Sequence, residues 1–460
     1  MARFIGIVLS SLLLLSACAS RQKSSTLPQD RFVRVYFNHR QDDSGYTEPY
    51  RQLERSGDNL ESIIIEAITA ANSTIDLAVQ ELNLPLVAKA LATSHRSGIE
   101  VRVILDNNYS RSLSEFKTDK IAKFTQRDRQ KYRQLFQLVD VNRDNRLTPQ
   151  EIAERDAIAM LRQAGIPVID DTADGSKGSG LMHHKFMVVD GKTVITGSAN
   201  FTLSGIHGDL DNPATRGNVN HLFRIENEGV AELFTAEFNY MWGDSSNGGI
   251  NSKFGLAKPW RSPQTVSWEN TQITLQFAPT SSSQDWRIST NGLIDKTLKE
   301  ASESVDLALF VFSEQKIANT LEQKQREGVE IRGVFDAGFA YRYYSEVLDM
   351  LGVTLYFRCQ AEAENNPWQD SISSVGTPQI VRGDKLHHKF AIVDRASIIT
   401  GSQNWSKAAN QTNDETLMAI DNPIVSQHFQ REFERLYSSA SLGLTSKLKQ
   451  KQQQQQRQCS

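Results

Sequence analysis

Cysteine is scarce in this sequence: three in 460 residues, at positions 18, 359 and 459. That number and spacing offer neither a disulfide framework nor a zinc cluster, and Cys359 reads as a buried, inert residue. A charge field of one sign is missing too. The formal net charge is −3, so the chain lacks the basic surface that dominates nucleic-acid binders, although a cleft can still be locally positive. Long apolar runs are absent: the longest, IGIVLSSLLLL at 5–15, falls short of the roughly 20 residues that span a bilayer as a helix. What remains is the composition of a water-soluble globular protein, 39% hydrophobic and 23% charged, long enough for two or three domains.

The short apolar run follows Arg3 and ends in Leu15-Ser16-Ala17-Cys18, the pattern of an export signal. A plain secretory signal cut after a small residue would need no more than Ala17. The ending also resembles the lipobox of bacterial lipoproteins. That resemblance implies cleavage before Cys18, lipidation of Cys18 and anchoring in the bacterial envelope, with Ser20 pointing to the outer membrane. Residues 19–30 then read as a polar linker between anchor and folded protein.

The chain contains itself twice. STIDLAV (73–79) matches ESVDLAL (303–309), and SGIEVRVILD (97–106) matches EGVEIRGVFD (327–336). AGIPV (164–168) matches LGVTL (351–355), and LFTAEFNYMW (233–242) matches HFQREFERLY (428–437). Strand-like runs alternate with helical periodicity, which predicts an α/β fold: two similar lobes, each a mixed sheet flanked by helices, related by a pseudo-twofold axis. The lobes are expected at 31–242 and 271–440. An irregular Gly/Ser/Pro-rich linker is expected at 243–270, and a disordered Gln-rich tail at 441–460.

Phe37 to His183 spans 146 positions and Phe277 to His387 spans 110, so the first half carries about 36 more residues. They fall at about 112–155 and include DVNRDNRLTPQE (140–151). This is the oxygen spacing of an EF-hand loop: Asp140, Asn142, Asp144, the Arg146 carbonyl, Thr148 and Glu151. The flanks RDRQKYRQLFQLV and PQEIAERDAIAMLRQ have helical periodicity. Position six, normally Gly, is Asn145, the residue that tolerates positive φ best after Gly. The loop is expected to hold a structural calcium ion; an acidic, solvated helix–helix turn is the plainer alternative.

The strongest repeat is HHKFMVVDGKTVITGSAN (183–200) against HHKFAIVDRASIITGSQN (387–404). Both read His-x-Lys, four residues, Asp, six residues, Gly-Ser-x-Asn. His183 and Lys185, or His387 and Lys389, share one face of a strand. A nucleophile, a cation and further donors from Ser198 and Asn200, or Ser402 and Asn404, form a set suited to an anionic phosphate. One copy alone is as well explained by a strand edge; six identical positions at identical spacing in two copies are not. His184 and His388 point to the opposite strand face and read as structural.

At these two segments the chain resembles the phospholipase D superfamily, and the repeats extend the resemblance over residues 31–440. It implies phosphodiester hydrolysis through a phosphohistidine, without a catalytic metal, in a site that one monomer completes from its own two lobes. His183 is then the nucleophile and His387 the acid, with Lys185, Lys389, Asn200 and Asn404 clamping phosphate and Ser198 and Ser402 assisting. Asp190 and Asp394 orient the motif. The family also places an acidic residue after Gly-Ser-x-Asn. The second half has Glu415 there, the first half the neutral Asn220. A carboxylate favours the protonated imidazole more than an amide does, so the two histidines should differ. The sequence leaves open which of them Glu415 contacts.

Three substrate readings follow. A phospholipase D would release phosphatidate and a head-group alcohol at the membrane to which the anchor ties it. An exported nuclease would use the same two histidines on DNA or RNA, steered by Arg111, Lys117, Lys120, Lys177 and Lys385, though such clusters are commonly a solvated face. A non-catalytic envelope binding protein would not need both motifs intact.

Overall fold

TIDLAV and KFMVV are apolar on both strand faces, so the sheet containing them has to be covered on both sides. In the computed structural model, which describes residues 26–41, 45–175, 178 and 180–459, this is what happens. Cys18, the export signal and Lys177 lie outside the described residues.

The first sheet has seven strands in the spatial order Val33–Phe37, His221–Glu226, Thr193–Gly197, Lys185–Val189, Thr74–Val79, Glu100–Leu105 and Val168–Asp170. The second has nine: Gln264–Trp268, Thr271–Ala278, Glu415–Asp421, Ser397–Gly401, Lys389–Val393, Ser304–Leu309, Glu330–Phe335, Val375–Thr377 and Ser441–Leu442. Strands two to eight of the second sheet repeat the first in order and direction. In each, the pairs after the first crossover are parallel and the remainder antiparallel.

Three apolar cores hold this together. One lies under the outer helices of each lobe, including Leu60, Val87, Leu91 and Leu161 in the first and Ile294, Ile317, Leu321 and Val347 in the second. The third is shared. Phe186, Phe223, Phe234 and Phe238 of the first lobe pack with Phe390, Phe429 and Phe433 of the second. Helices Glu228–Trp242 and Pro423–Tyr437 contribute buried faces to this common core, which makes the two lobes one structural unit.

The structure corrects four expectations. LGVTL is not a strand; the corresponding edge strand is Val375–Thr377, further along the chain. The linker is partly ordered: Gln264–Trp268 pairs with Thr271–Ala278, and Phe254 and Lys258 are buried. The tail is not disordered, because Ser441–Leu442 pairs with the sheet and Ser446–Cys459 forms a helix that buries Leu448. Cys359 is neither buried nor inert; it is exposed and disulfide-bonded to Cys459 across 100 positions. Two isolated cysteines lack any framework by spacing, and only the return of the tail brings them together.

The insert forms helices Thr118–Ala122, Gln126–Val139 and Pro149–Arg155. Arg143 and Asn145 both take φ of 60°, so Asn145 supplies the turn that glycine usually makes. The loop closes on itself: Asp140 accepts the Asp144 and Asn145 amides at 3.2 and 3.0 Å, and Asp144 accepts the Arg146 amide at 2.8 Å. Thr148 and Glu151 form a capping box. The loop is thus closed by its own side chains, and no three His, Cys or acidic side chains converge as a metal site among the described residues. Among them, too, no helix is long and apolar enough to cross a membrane.

Candidate active site

Each His-x-Lys strand enters its sheet through two residues that pair with the other lobe. His183 N donates to Asp414 O at 3.0 Å and Asp414 N to Leu181 O at 2.8 Å; His387 N donates to Val219 O at 3.0 Å and Val219 N to Lys385 O at 2.8 Å. These two bridges cross the lobe interface in equivalent positions. Each motif is thereby seated beside the residue that follows the other lobe's bridge, Glu415 or Asn220.

His183 donates from Nδ1 to Glu415 Oε2 at 2.7 Å. His387 donates from Nδ1 to Asn220 Oδ1 at 2.9 Å. Ser402 donates to Glu415 at 2.6 Å and Ser198 to Asn220 at 2.8 Å, so each serine fixes the partner of the other lobe's histidine. Asn220 is locked in orientation because its Nδ2 donates to Gly205 O at 2.8 Å. With Nδ1 committed in both rings, each neutral imidazole carries its lone pair on Nε2.

The electrostatics follow from burial. Desolvation lowers the His183 pKa to about 4 against the upward pull of Glu415. His387, whose partner is an amide, is pushed well below the usual histidine range by burial and by the Lys389 and Lys185 charges. Burial brings Lys185 down to about 7, opposed by Glu415, Asp106 and Glu81. Burial and repulsion from Lys185 lower Lys389 as well. Each ammonium donates to the carbonyl of its own histidine, Lys185 to His183 O at 2.7 Å and Lys389 to His387 O at 2.6 Å. Two closely placed lysines beside two neutral histidines make a centre that gains from a bound anion.

Asn200 donates to Gln80 Oε1 at 3.3 Å, and the Oδ1 atoms of Asn200 and Asn404 are buried without a partner among the described residues. Asp190 and Asp394 lie elsewhere. At the far end of their strands, Asp190 accepts the amides of Asn72, Ser73 and Thr74, and Asp394 those of Ser302, Glu303 and Ser304. They tie the motif strand to its neighbour and do not face the histidines. His184 and His388 lie on the opposite face as expected, 2.9 Å from Glu237 and 3.0 Å from Glu432.

Asp106 and Asp336 are site residues that sequence reasoning passes over. Their carboxylates accept the Met182 and Leu386 amides at 3.1 and 3.0 Å and so anchor the residue just before each motif His. The signal is present, since both close the repeated runs VRVILD and IRGVFD.

Comparison with known proteins agrees with this geometry. A family model described as "Cardiolipin synthase, PLD-like domain" matches residues 64–242 and 294–437. The mitochondrial cardiolipin hydrolase of Xenopus tropicalis is 29% identical over 140 residues, 30% of this chain and 57% of that protein. A phospholipase D of Rickettsia typhi is 23% identical over 148 residues, 32% of this chain and 63% of its own length. The chain thus spans little more than half the length of such relatives. The crystal structure of phosphatidylserine synthase from Haemophilus influenzae shares the fold, with a TM-score of 0.54 at 12% identity over 90% of this chain and 88% of that one. Two paired His-x-Lys motifs, crossed over one lobe interface and matched by the family model over more than half of the sequence, make this chain a member of the phospholipase D superfamily.

Proposed function

We propose that the protein is a phosphodiesterase that works through a phosphohistidine, and that its substrate is a phospholipid, cleaved to phosphatidate and a head-group alcohol. The observation that carries the chemistry is the unequal support of the two rings, carboxylate behind His183 and amide behind His387. Attack by His183 Nε2 on phosphorus puts positive charge on that ring, which Glu415 neutralises through Nδ1–H. The phosphorus–oxygen bond to the leaving group breaks as His387 Nε2–H delivers a proton to that oxygen. His387 takes this proton on Nε2 from solvent as the phosphodiester anion binds beside it and stabilises the charged ring. An amide neighbour stabilises the imidazolium little, so the proton is given up readily. Water then attacks the phosphohistidine, its proton passes to His387, and phosphatidate leaves His183. Lys185 and Lys389 hold the non-bridging oxygens.

The phospholipid reading draws support from the absence of a chain-wide basic field and from the Rickettsia phospholipase D. We also propose that the protein is exported and lipid-anchored at Cys18. The disulfide between Cys359 and Cys459 supports this, because such bonds persist in oxidising compartments. A single chain contributes both half-sites, so a monomer suffices. Calcium in the insert loop would act structurally, held by Asp140, Asn142, Asp144, Arg146 O, Thr148 and Glu151.

The test is to incubate the protein with phospholipid vesicles and with plasmid DNA, with and without calcium. Phosphatidate release without nicking is expected. Nicking without lipid cleavage would replace the substrate by nucleic acid, and inertness towards both would leave a binding protein.

A further inference from the structure

The insert, which the second lobe lacks, walls a cavity of about 760 Å³. Its floor is apolar, formed by Leu82, Leu135, Ala157, Ile158 and Leu181. The cavity adjoins the catalytic centre: Leu181 is two residues before His183, and Gln80, on the same wall, holds Asn200.

The rim is cationic. Arg111, Lys120, Lys123 and Arg127 line it without an ion-pair partner among the described residues, and they outnumber Asp128 and Asp156, the acidic lining residues other than Glu81. Lys131 differs, since its ammonium is held by Glu81 at 2.9 Å and the Tyr109 hydroxyl at 2.7 Å. Lys385 of the second lobe lies beyond the lining, over the Phe310 ring that packs on His387. Burial lowers its pKa, and Arg127 and Lys131 repel it further. Cations on one helix are commonly a solvated face, but here four unpaired ones surround one apolar space next to a phosphate-handling centre. Such a combination matches an amphiphile with an anionic head.

Aromatic residues add to the apolar part of the lining. Phe116, Phe124 and Tyr132 pack on one another edge to face, with centroids 5.7 to 5.8 Å apart. They brace one another as part of the cavity lining.

We propose that this cavity is the subsite that seats an acyl chain of the substrate lipid and that its cationic rim selects anionic over zwitterionic head groups. The proposal rests on the phospholipid reading above. A cationic rim gives no attraction to a choline head, and an apolar floor gives none to a sugar–phosphate backbone.

The experiment uses short-chain phosphatidylglycerol and phosphatidylcholine as monomers, below their micellar concentration, so that vesicle surface charge plays no part. Bis(p-nitrophenyl) phosphate reports the catalytic centre alone. The unmodified protein should prefer phosphatidylglycerol by about tenfold in kcat/KM, as expected for a few partly exposed charge contacts. The variant Lys120→Ala/Lys123→Ala/Arg127→Ala, altered only at exposed positions, should lose that preference and keep its rate on the chromogenic diester. Leu135→Trp, which fills the floor, should abolish the gain in kcat/KM that longer acyl chains give. Lipid cleavage with an unchanged preference in the triple variant, or unchanged chain-length dependence in Leu135→Trp, would overturn the subsite. Cleavage of the chromogenic diester but of neither lipid would overturn the phospholipid reading, and the subsite with it. Plasmid nicking that the triple variant loses would assign the rim to nucleic acid.

Discussion

The Glu415 carboxylate of the second lobe lies 2.7 Å from Nδ1 of His183 in the first, whereas Nδ1 of the opposing His387 meets the Asn220 amide oxygen at 2.9 Å. Glu415 thus favours positive charge on its ring more than the Asn220 amide does on the other. From this relationship come the first two predictions.

The leaving group should tell the histidines apart. Phosphodiesters with a p-nitrophenolate leaving group need no proton, so His387→Ala should keep a measurable first step on them while losing turnover of alkyl esters. His183→Ala should lose both. A loss of about 100- to 10,000-fold is the usual scale for removing an acid–base group. Equal losses for the two variants on the activated ester would reverse or remove the assignment, as stopped-flow release of nitrophenolate can decide.

The pH profile follows from the two shifted groups. His183 is neutral, and therefore nucleophilic, above about 4, and Lys185 is charged below about 7. Accordingly kcat/KM should rise with pH through the first value and fall on the alkaline side as Lys185 loses its charge and His387 the proton it must donate. Glu415 raises both pKa values, so Glu415→Gln should move both limbs to lower pH besides lowering the rate. Limbs that stay in place would show that neither group is the one titrating.

Behind the catalytic face, Glu237 joins His184, Lys258 and Arg261, and Lys258 reaches Asp414 at 2.7 Å. The cations hold the Glu237 carboxyl far below its usual range in spite of burial. Glu237→Ala strands buried positive charge and should destabilise the fold by about 3–5 kcal/mol. Chemical denaturation measures this; a change under about 1 kcal/mol would mean that water replaces the carboxylate.

The loop at 140–151 gives a calorimetric prediction. Calcium should bind the intact protein with one site and raise its melting temperature, and Asp140→Ala should show neither effect. Equal heats in both proteins would place any binding elsewhere.

Reduction of Cys359–Cys459, or Cys459→Ser, should release the C-terminal helix and lower stability by about 2–4 kcal/mol, the usual range for a long cross-linked loop. Hydrogen exchange should report the loss first in Ser446–Cys459. Unchanged protection of that helix would show that Leu448 packing suffices to hold it.

Local patterns and their repetition make much of the protein legible in its residues alone. The apolar runs TIDLAV and KFMVV require a sheet covered on both sides. The doubled His-x-Lys motif names the candidate site residues, because identity at fixed spacing in two copies has no packing explanation. The helix at 126–139 and the turn at Asn145 follow from spacing. LGVTL misleads because its apolar residues, Val353 and Leu355, are buried without joining the sheet. The tail misleads because its polar composition gives no sign of the long-range disulfide that pins it.

The sequence by itself determined the two-lobed α/β architecture and the candidate residues each half carries, since both are written in short-range periodicity and in a repeat. Only the tertiary structure decided which histidine meets Glu415, why Asp190 and Asp394 serve the sheet rather than the substrate, and that the insert borders the catalytic centre. Those outcomes depend on contacts between distant parts of the chain, 232 positions apart for His183 and Glu415, and they arise only when the two lobes close over their shared core.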